Sequence, residues 1–268
     1  MTLFENILTR YAKAGEEEEV KPEEVALDFP YHEKLNPALW RSIDEGEYEL
    51  KPEVKEKLLD IADTFFRTLK TPALEINDIV LTGSNANYNW TEHSDIDLHI
   101  IVNVVTGAKK YGKIFPDYIT AKRHLWNDRH VVKVHGYAVE VYVQDEREPH
   151  SSSGMYSLKN DEWSHVPKHV EPHYDDYAVR TKTAEYMNMI NELTDKDGKE
   201  CNSKRAEEVM EKLKTYRTAG LSTAGEFSVE NLVFKVLRNK GYISKLAKCR
   251  TQGLDTKLST EDEEWWNK

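Results

Sequence analysis

The first sustained hydrophobic rhythm runs from Lys51 to Lys70, where Val54, Leu58, Ile61, Ala62, Phe65 and Leu69 recur at three- and four-residue steps. That spacing lays them along one stripe of an α-helix. Pro52 suits its first turn, where a missing N–H costs nothing, and the helix is expected to stop near Lys70, ahead of Thr71-Pro72. The rhythm then shortens. Ile79-Val80-Leu81, closed by Gly83, reads as a strand, and Asp95 to Val102 alternates polar and apolar residues as a half-buried strand does. Pro116 to Asn127 returns to a helical composition, with Tyr118, Ala121, Leu125 and Trp126 available for one face. Val131 to Gln144 predicts two strands folded at His135-Gly136. Upstream, Pro37 to Ile43 reads as a short helix.

The pattern changes after Pro149. Ser151-Ser152-Ser153-Gly154 is polar and reads as a linker, and from about Glu171 the spacing is helical. Tyr186, Ile190 and Leu193 share a face, as do Ala206, Val209, Leu213 and Tyr216. Ser228 is placed to cap a helix carrying Leu232, Val233 and Val236 that ends around Gly241. At the other end, Met1 to Tyr11 suggests a short helix, followed by a solvated acidic stretch from Gly15 to Glu24. The expected class is α+β, in three parts: a helical and acidic extension (1–48), a mixed sheet flanked by helices (49–160) and a helical domain (161–268).

Composition narrows the function. With 39% hydrophobic residues, six Trp and fourteen Tyr, the chain can build a core. A net charge of -11 argues against an indiscriminate nucleic-acid binder, whose affinity comes largely from counterion release by a basic surface. Cys201 and Cys249 lie in no Cys-x-x-Cys pair and near no His at zinc spacing, so two free thiols in a reducing compartment are expected. No apolar run is long enough for a membrane span, and Met1 to Tyr11 lacks the order of a secretory signal. A soluble cytoplasmic protein is the expectation.

The candidate chemistry lies in Leu81-Thr82-Gly83-Ser84, ten further residues, and Asp95-Ile96-Asp97-Leu98. Side chains alternate across a strand, so Asp95, Asp97 and His99 share one face while Ile96, Leu98 and Ile100 enter the core. Two carboxylates on one strand face repel each other unless a cation bridges them, and hard oxygen ligands suit magnesium, with manganese as the alternative. Gly83 frees the backbone for a tight turn where a strand meets a helix, and Ser84 brings a hydroxyl to the helix N-terminus, where phosphate oxygens bind well. A third carboxylate is expected on a neighbouring strand. Glu140 fits, as the one charged residue within Val139-Glu140-Val141-Tyr142-Val143; Asp145 and Glu146 read as solvated turn residues past the strand end.

These residues resemble the DNA polymerase beta nucleotidyltransferase superfamily over roughly 50 to 145. The wider runs Thr82-Gly83-Ser84-Asn85-Ala86-Asn87 and Ser94-Asp95-Ile96-Asp97-Leu98-His99 also resemble nucleotidyltransferases encoded in tailed-phage genomes, which would place the protein in a host cytoplasm. The resemblance implies a nucleotidyltransferase-type mixed sheet followed by a helical domain. It implies that Asp95, Asp97 and Glu140 are catalytic and hold metal, and that Gly83 and Ser84 contact a nucleoside triphosphate such as ATP; Asn85 beside them is a further nucleotide-binding candidate that equally suits the turn. The implied reaction moves a nucleoside monophosphate to an acceptor hydroxyl and releases pyrophosphate. The acceptor (a small molecule, a nucleotide, an RNA end or a protein side chain) stays open. The rival reading is a catalytically silent nucleotide-binding regulatory module.

Other residues read more plainly. His99 suits a partly buried, hydrogen-bonded histidine, and Tyr88 and Trp90 suit packing more than base stacking. Lys235, Arg238, Lys240, Lys245, Lys248 and Arg250 read as a solvated basic helix face.

Overall fold

The computed structural model describes residues 19–27, 29–149, 152–194 and 201–259. The expected N-terminal helix, the first four residues of the acidic run and Ser151 lie outside them. The chain forms two compact units. One is Phe29–Glu171; the other joins residues 19–27 to the chain from Pro172 onward.

The first unit opens with a two-stranded antiparallel hairpin, β1 (Trp40–Asp44) and β2 (Glu47–Leu50). This corrects the helix expected at Pro37–Ile43. Trp40 is buried, and its ring stacks on Trp163 at 4.5 Å, a long-range contact that local spacing does not report. Helix α1 (Pro52–Thr68) follows the expected stripe: Val54, Leu58, Ala62 and Phe65 are buried. Lys70, at φ 53°, ends the turn.

A six-stranded mixed sheet packs against α1. Its members are β3 (Ile76–Thr82), β4 (Ile96–Val102), β5 (Lys133–Val134), β6 (Tyr137–Asp145), β7 (Met155–Ser157) and β8 (Glu162–His165), in the order β5-β6-β4-β3-β7-β8. Among the described residues, only the β4–β6 pairing is parallel. Helices α2 (Val104–Tyr111) and α3 (Phe115–Arg129) make the crossover that a parallel pair requires. Leu81, Ile96, Leu98, Ile100, Val139 and Val141 join Phe65, Phe115 and Ile119 in one core. His135 and Gly136 both take positive φ (49° and 91°), as a tight two-residue hairpin demands.

The segment expected to be a linker holds structure. Gly154 lies so close to the main chain at Ala86 that a Cβ there would stand 1.9 Å from the Ala86 oxygen. The β7–β8 hairpin then extends the sheet, with Tyr156 and Leu158 buried.

The second unit is helical: α4 (Asp176–Leu193), α5 (Ser203–Ala224), α6 (Val229–Asn239) and α7 (Tyr242–Leu258). Asp175, Asn202 and Ser228 cap the first three through their side chains. Ile190, Leu213, Leu232, Val233 and Leu246 fill the interior. The amide of Asn188 clamps both backbone groups of Val20, and the Arg180 guanidinium donates to the Val25 carbonyl, so residues 19–27 run along α4. The free thiols expected of Cys201 and Cys249 are replaced by a disulfide, with Cα atoms 5.4 Å apart. A Cβ at Gly253 would meet the Ser203 Cβ at 2.5 Å; that close approach of α7 to the start of α5 brings the two cysteines together. No described helix is long and apolar enough to cross a membrane.

Candidate active site

Strands β3, β4 and β6 assemble the site. Pairing aligns Thr82 with Asp97 across β3 and β4, and Asp97 with Glu140 across β4 and β6. Side chains directly across a strand pair project to the same face. Asp97, His99, Glu140, Tyr142 and Gln144 therefore share the face opposite the Leu98–Val141 core. Asp95 stands one residue before β4.

Gly83 takes φ 79° and ψ -162°, a region open essentially to glycine alone. A Cβ there would stand 1.8 Å from Asp97 Oδ2. The chain thus turns directly against the carboxylate, and only an absent side chain leaves the room. In place of the expected helix, a single 3-10 turn, Ser84–Ala86, succeeds the glycine. Ser84 Oγ donates to Ser94 Oγ (2.9 Å), closing the ten-residue loop at its neck.

Asn85, expected beside the nucleotide, is wholly buried. Its Oδ1 accepts from Asn36 Nδ2 (2.7 Å), its Nδ2 donates to the Asp95 carbonyl (2.9 Å), and its carbonyl accepts from Trp40 Nε1 (2.6 Å). The side chain ties the turn to the start of β4 and so sets Asp95 relative to Gly83. Asn36 and Trp40 are supports that sequence reasoning missed; their long separation from Asn85 leaves no local signal. From the other side, Thr82 Oγ1 donates to the Gly154 carbonyl (3.0 Å) and Asn87 Nδ2 to Ser153 Oγ (2.7 Å).

Glu140 Oε2 accepts from Tyr142 Oη at 2.5 Å. Burial, this hydrogen bond and the charges of Asp97 and Glu140 push the Tyr142 phenol far above its ordinary pKa, with Arg123 opposing, so the hydroxyl is a donor. His99 behaves as expected: Nδ1 donates to Gln144 Oε1 (2.7 Å), and the ring stacks on Tyr142 at 4.8 Å. Tyr88 is buried in the core, and Trp90 stacks on His32 at 3.9 Å.

Asp145 departs from its expected place in a solvated turn. It is the buried last residue of β6, gripped by Arg147 through Nε (2.7 Å) and Nη2 (2.8 Å), and it accepts from the Val104 N–H (3.1 Å). These bonds hold its pKa down at about 2. It closes a corner of the fold. On the basic helices, Lys245 Nζ donates to Asn191 Oδ1 (2.9 Å), and Lys235 is half-buried, with desolvation lowering its pKa.

Residues 62–185 match the family model described as Nucleotidyltransferase domain. The match covers a little under half of the chain and contains Gly83, Ser84, Asp95, Asp97 and Glu140. The matched segment thus includes the whole carboxylate face and runs on into α4. No curated protein matches the sequence. Among solved structures, the "STING-associated CdnE c-di-GMP synthase from Capnocytophaga granulosa" is 15% identical, over 80% of this chain and 70% of that one, at a TM-score of 0.22. A superposition that loose carries no argument. Neither similarity supports the expected likeness to phage-encoded proteins.

Among the described residues no three of His, Cys, Asp and Glu form a group close enough to hold an ion by themselves. Magnesium does not require one: it usually takes one or two carboxylates and completes its shell with water and substrate phosphate. Asp97 and Glu140 in adjacent register, with the bare Gly83 backbone alongside, supply such a partial set of hard oxygens. The donor set fits an ion that arrives with a triphosphate better than a resident one.

Proposed function

We propose that this chain is a metal-dependent nucleotidyltransferase that moves a nucleoside monophosphate from a nucleoside triphosphate to an acceptor hydroxyl. The observation that carries the reading is the adjacency of Asp97 to Glu140, with Gly83 turned against the Asp97 carboxylate, inside the segment that matches the nucleotidyltransferase domain. In the reaction, a bond forms between the acceptor oxygen and the α-phosphorus while the bond to the β-phosphate oxygen breaks, releasing pyrophosphate.

The residues divide the work by position. The Gly83–Ser84 turn at the end of β3 receives the triphosphate, where a bare backbone permits close approach. Asp97 on the middle strand and Asp95 just before it, with Glu140, would hold magnesium or manganese. Such an ion supplies charge neutralisation at the phosphoryl oxygens and a lowered pKa for a bound hydroxyl. Glu140 lies on β6, across β4 from the turn, and we assign it to the acceptor side.

Purified protein is to be incubated with each α-labelled nucleoside triphosphate and magnesium or manganese, with and without cell RNA and lysate, beside the Asp95→Ala/Asp97→Ala variant. Label should move to a product only with the intact protein, and product size names the acceptor class. Metal-dependent nucleotide binding without transfer to any acceptor would instead establish a silent binding module.

A further inference from the structure

Tyr142 is held from several sides on the carboxylate face. His99 stacks on its ring (4.8 Å, 24° between planes), and the Arg123 guanidinium carbon lies 5.1 Å from the ring centroid. Arg123 comes from α3, and four residues later Asn127 is fixed in turn: its amide donates to the Val141 carbonyl (3.0 Å) and accepts from the Val141 N–H (3.1 Å). His99 is itself held by Gln144. A ring clamped in this way presents its hydroxyl at one place, and that place is Glu140 Oε2.

The consequence falls on Glu140. A free glutamate carboxylate rotates broadly about its last torsion. Here one oxygen accepts the phenol's hydrogen bond, while Oε1 accepts none from the described residues. An ionised carboxylate has lone pairs to spare on both oxygens. The phenol therefore does not block the group; it orders it.

We propose that Tyr142 is a positioning residue that orients Glu140 so that its remaining oxygen meets a divalent cation. This rests on the nucleotidyltransferase reading and adds to it a residue outside the Gly-Ser and Asp-x-Asp pattern. Partners that orient a metal-binding carboxylate change metal affinity or activity about 10–100-fold when removed.

The test uses the full-length, metal-free protein titrated with Mn2+ and followed by electron paramagnetic resonance of the free ion. Wild type, Tyr142→Phe and Glu140→Gln are compared. Tyr142→Phe keeps the clamped ring and loses only the hydroxyl. Its circular dichroism and melting temperature should match wild type, while its Mn2+ affinity falls about tenfold or more. In turnover, the variant should need more metal for half-maximal rate at an unchanged KM for the nucleotide. A Mn2+ titration identical to wild type overturns the positioning role and leaves the nucleotidyltransferase reading standing. Absence of both Mn2+ binding and label transfer in wild type overturns the two together. If Tyr142→Phe does not fold, the ultraviolet difference spectrum of wild type decides: Mg2+ should perturb a tyrosine band, and a flat spectrum in the presence of bound metal overturns the proposal.

Discussion

At residue 83 two constraints coincide, and each alone excludes a side chain. The backbone angles (79°, -162°) cost any other residue about 1–3 kcal/mol. The missing Cβ leaves the space that Asp97 Oδ2 fills. Gly83→Ala should therefore destabilise the fold by about 1–3 kcal/mol in denaturant titration. It should also displace the Asp97 carboxylate, and misplacement of about 1 Å at a reacting centre costs on the order of 100-fold in rate. A Gly83→Ala enzyme that retains wild-type turnover would remove the turn from the site. The glycine, the two aspartates and Glu140 were legible in the sequence because each signal is local: period-two alternation fixes the strand face, and a lone acid in an apolar strand stands out. The supports were not legible. Asn36 and Trp40 reach Asn85 only through the folded chain, and Asn85 itself looks in sequence like one more polar loop residue.

At the scale of elements, the central ones followed their periodicity and the edge ones did not. Helix α1 and strands β4 and β6 each bury several residues at regular spacing, so pattern and packing agree. The β1 and β7–β8 strands are short and amphiphilic, and single aromatic contacts hold them: Trp40 stacks on Trp163, and the Tyr156 ring lies edge-on to both. No periodicity can develop in three to five residues. The end of β6 shows the same limit, since Asp145 reads as a turn residue until the partners that bury it are known. It joins β6 to the first N–H of α2 while Arg147 covers it, and Glu146 accepts from both Asn77 and Asn103. Because the folded state lowers the Asp145 pKa from 3.8 to about 2, the unfolded chain binds this proton more readily. The contribution is fully present above the ordinary value and is lost as pH falls toward the folded one. The melting-temperature difference between wild type and Asp145→Asn should thus shrink between about pH 5 and pH 2. A difference constant across that range would show that the ion pair does not set it.

For the whole molecule, chain order and spatial grouping part company. Residues 19–27 group with the C-terminal helices across the whole intervening sheet unit, through Val20 with Asn188 and Val25 with Arg180. Composition holds no trace of such a return. The cysteines follow the same logic: 48 residues separate Cys201 from Cys249, neither has a motif around it, and only the close approach of α7 to α5 brings them together. A cross-link closing a loop of that length removes unfolded-state entropy worth about 4 kcal/mol, before any strain in the native state is subtracted. Its effect should be confined to the unit that contains both cysteines, since the sheet unit holds its own core and neither thiol. Thiol titration of the native protein should find no reactive cysteine before reduction and two after it. Hydrogen exchange after reduction should quicken in α5 and α7 while β3, β4 and β6 keep their protection. Uniform acceleration through both units would mean that they unfold as one cooperative body, and unchanged exchange in the helices would mean that packing alone holds the helical unit. The Asp97–Glu140 pairing lies in the unit without the cross-link, so label transfer should survive reduction to the extent that the reaction depends on the sheet unit alone.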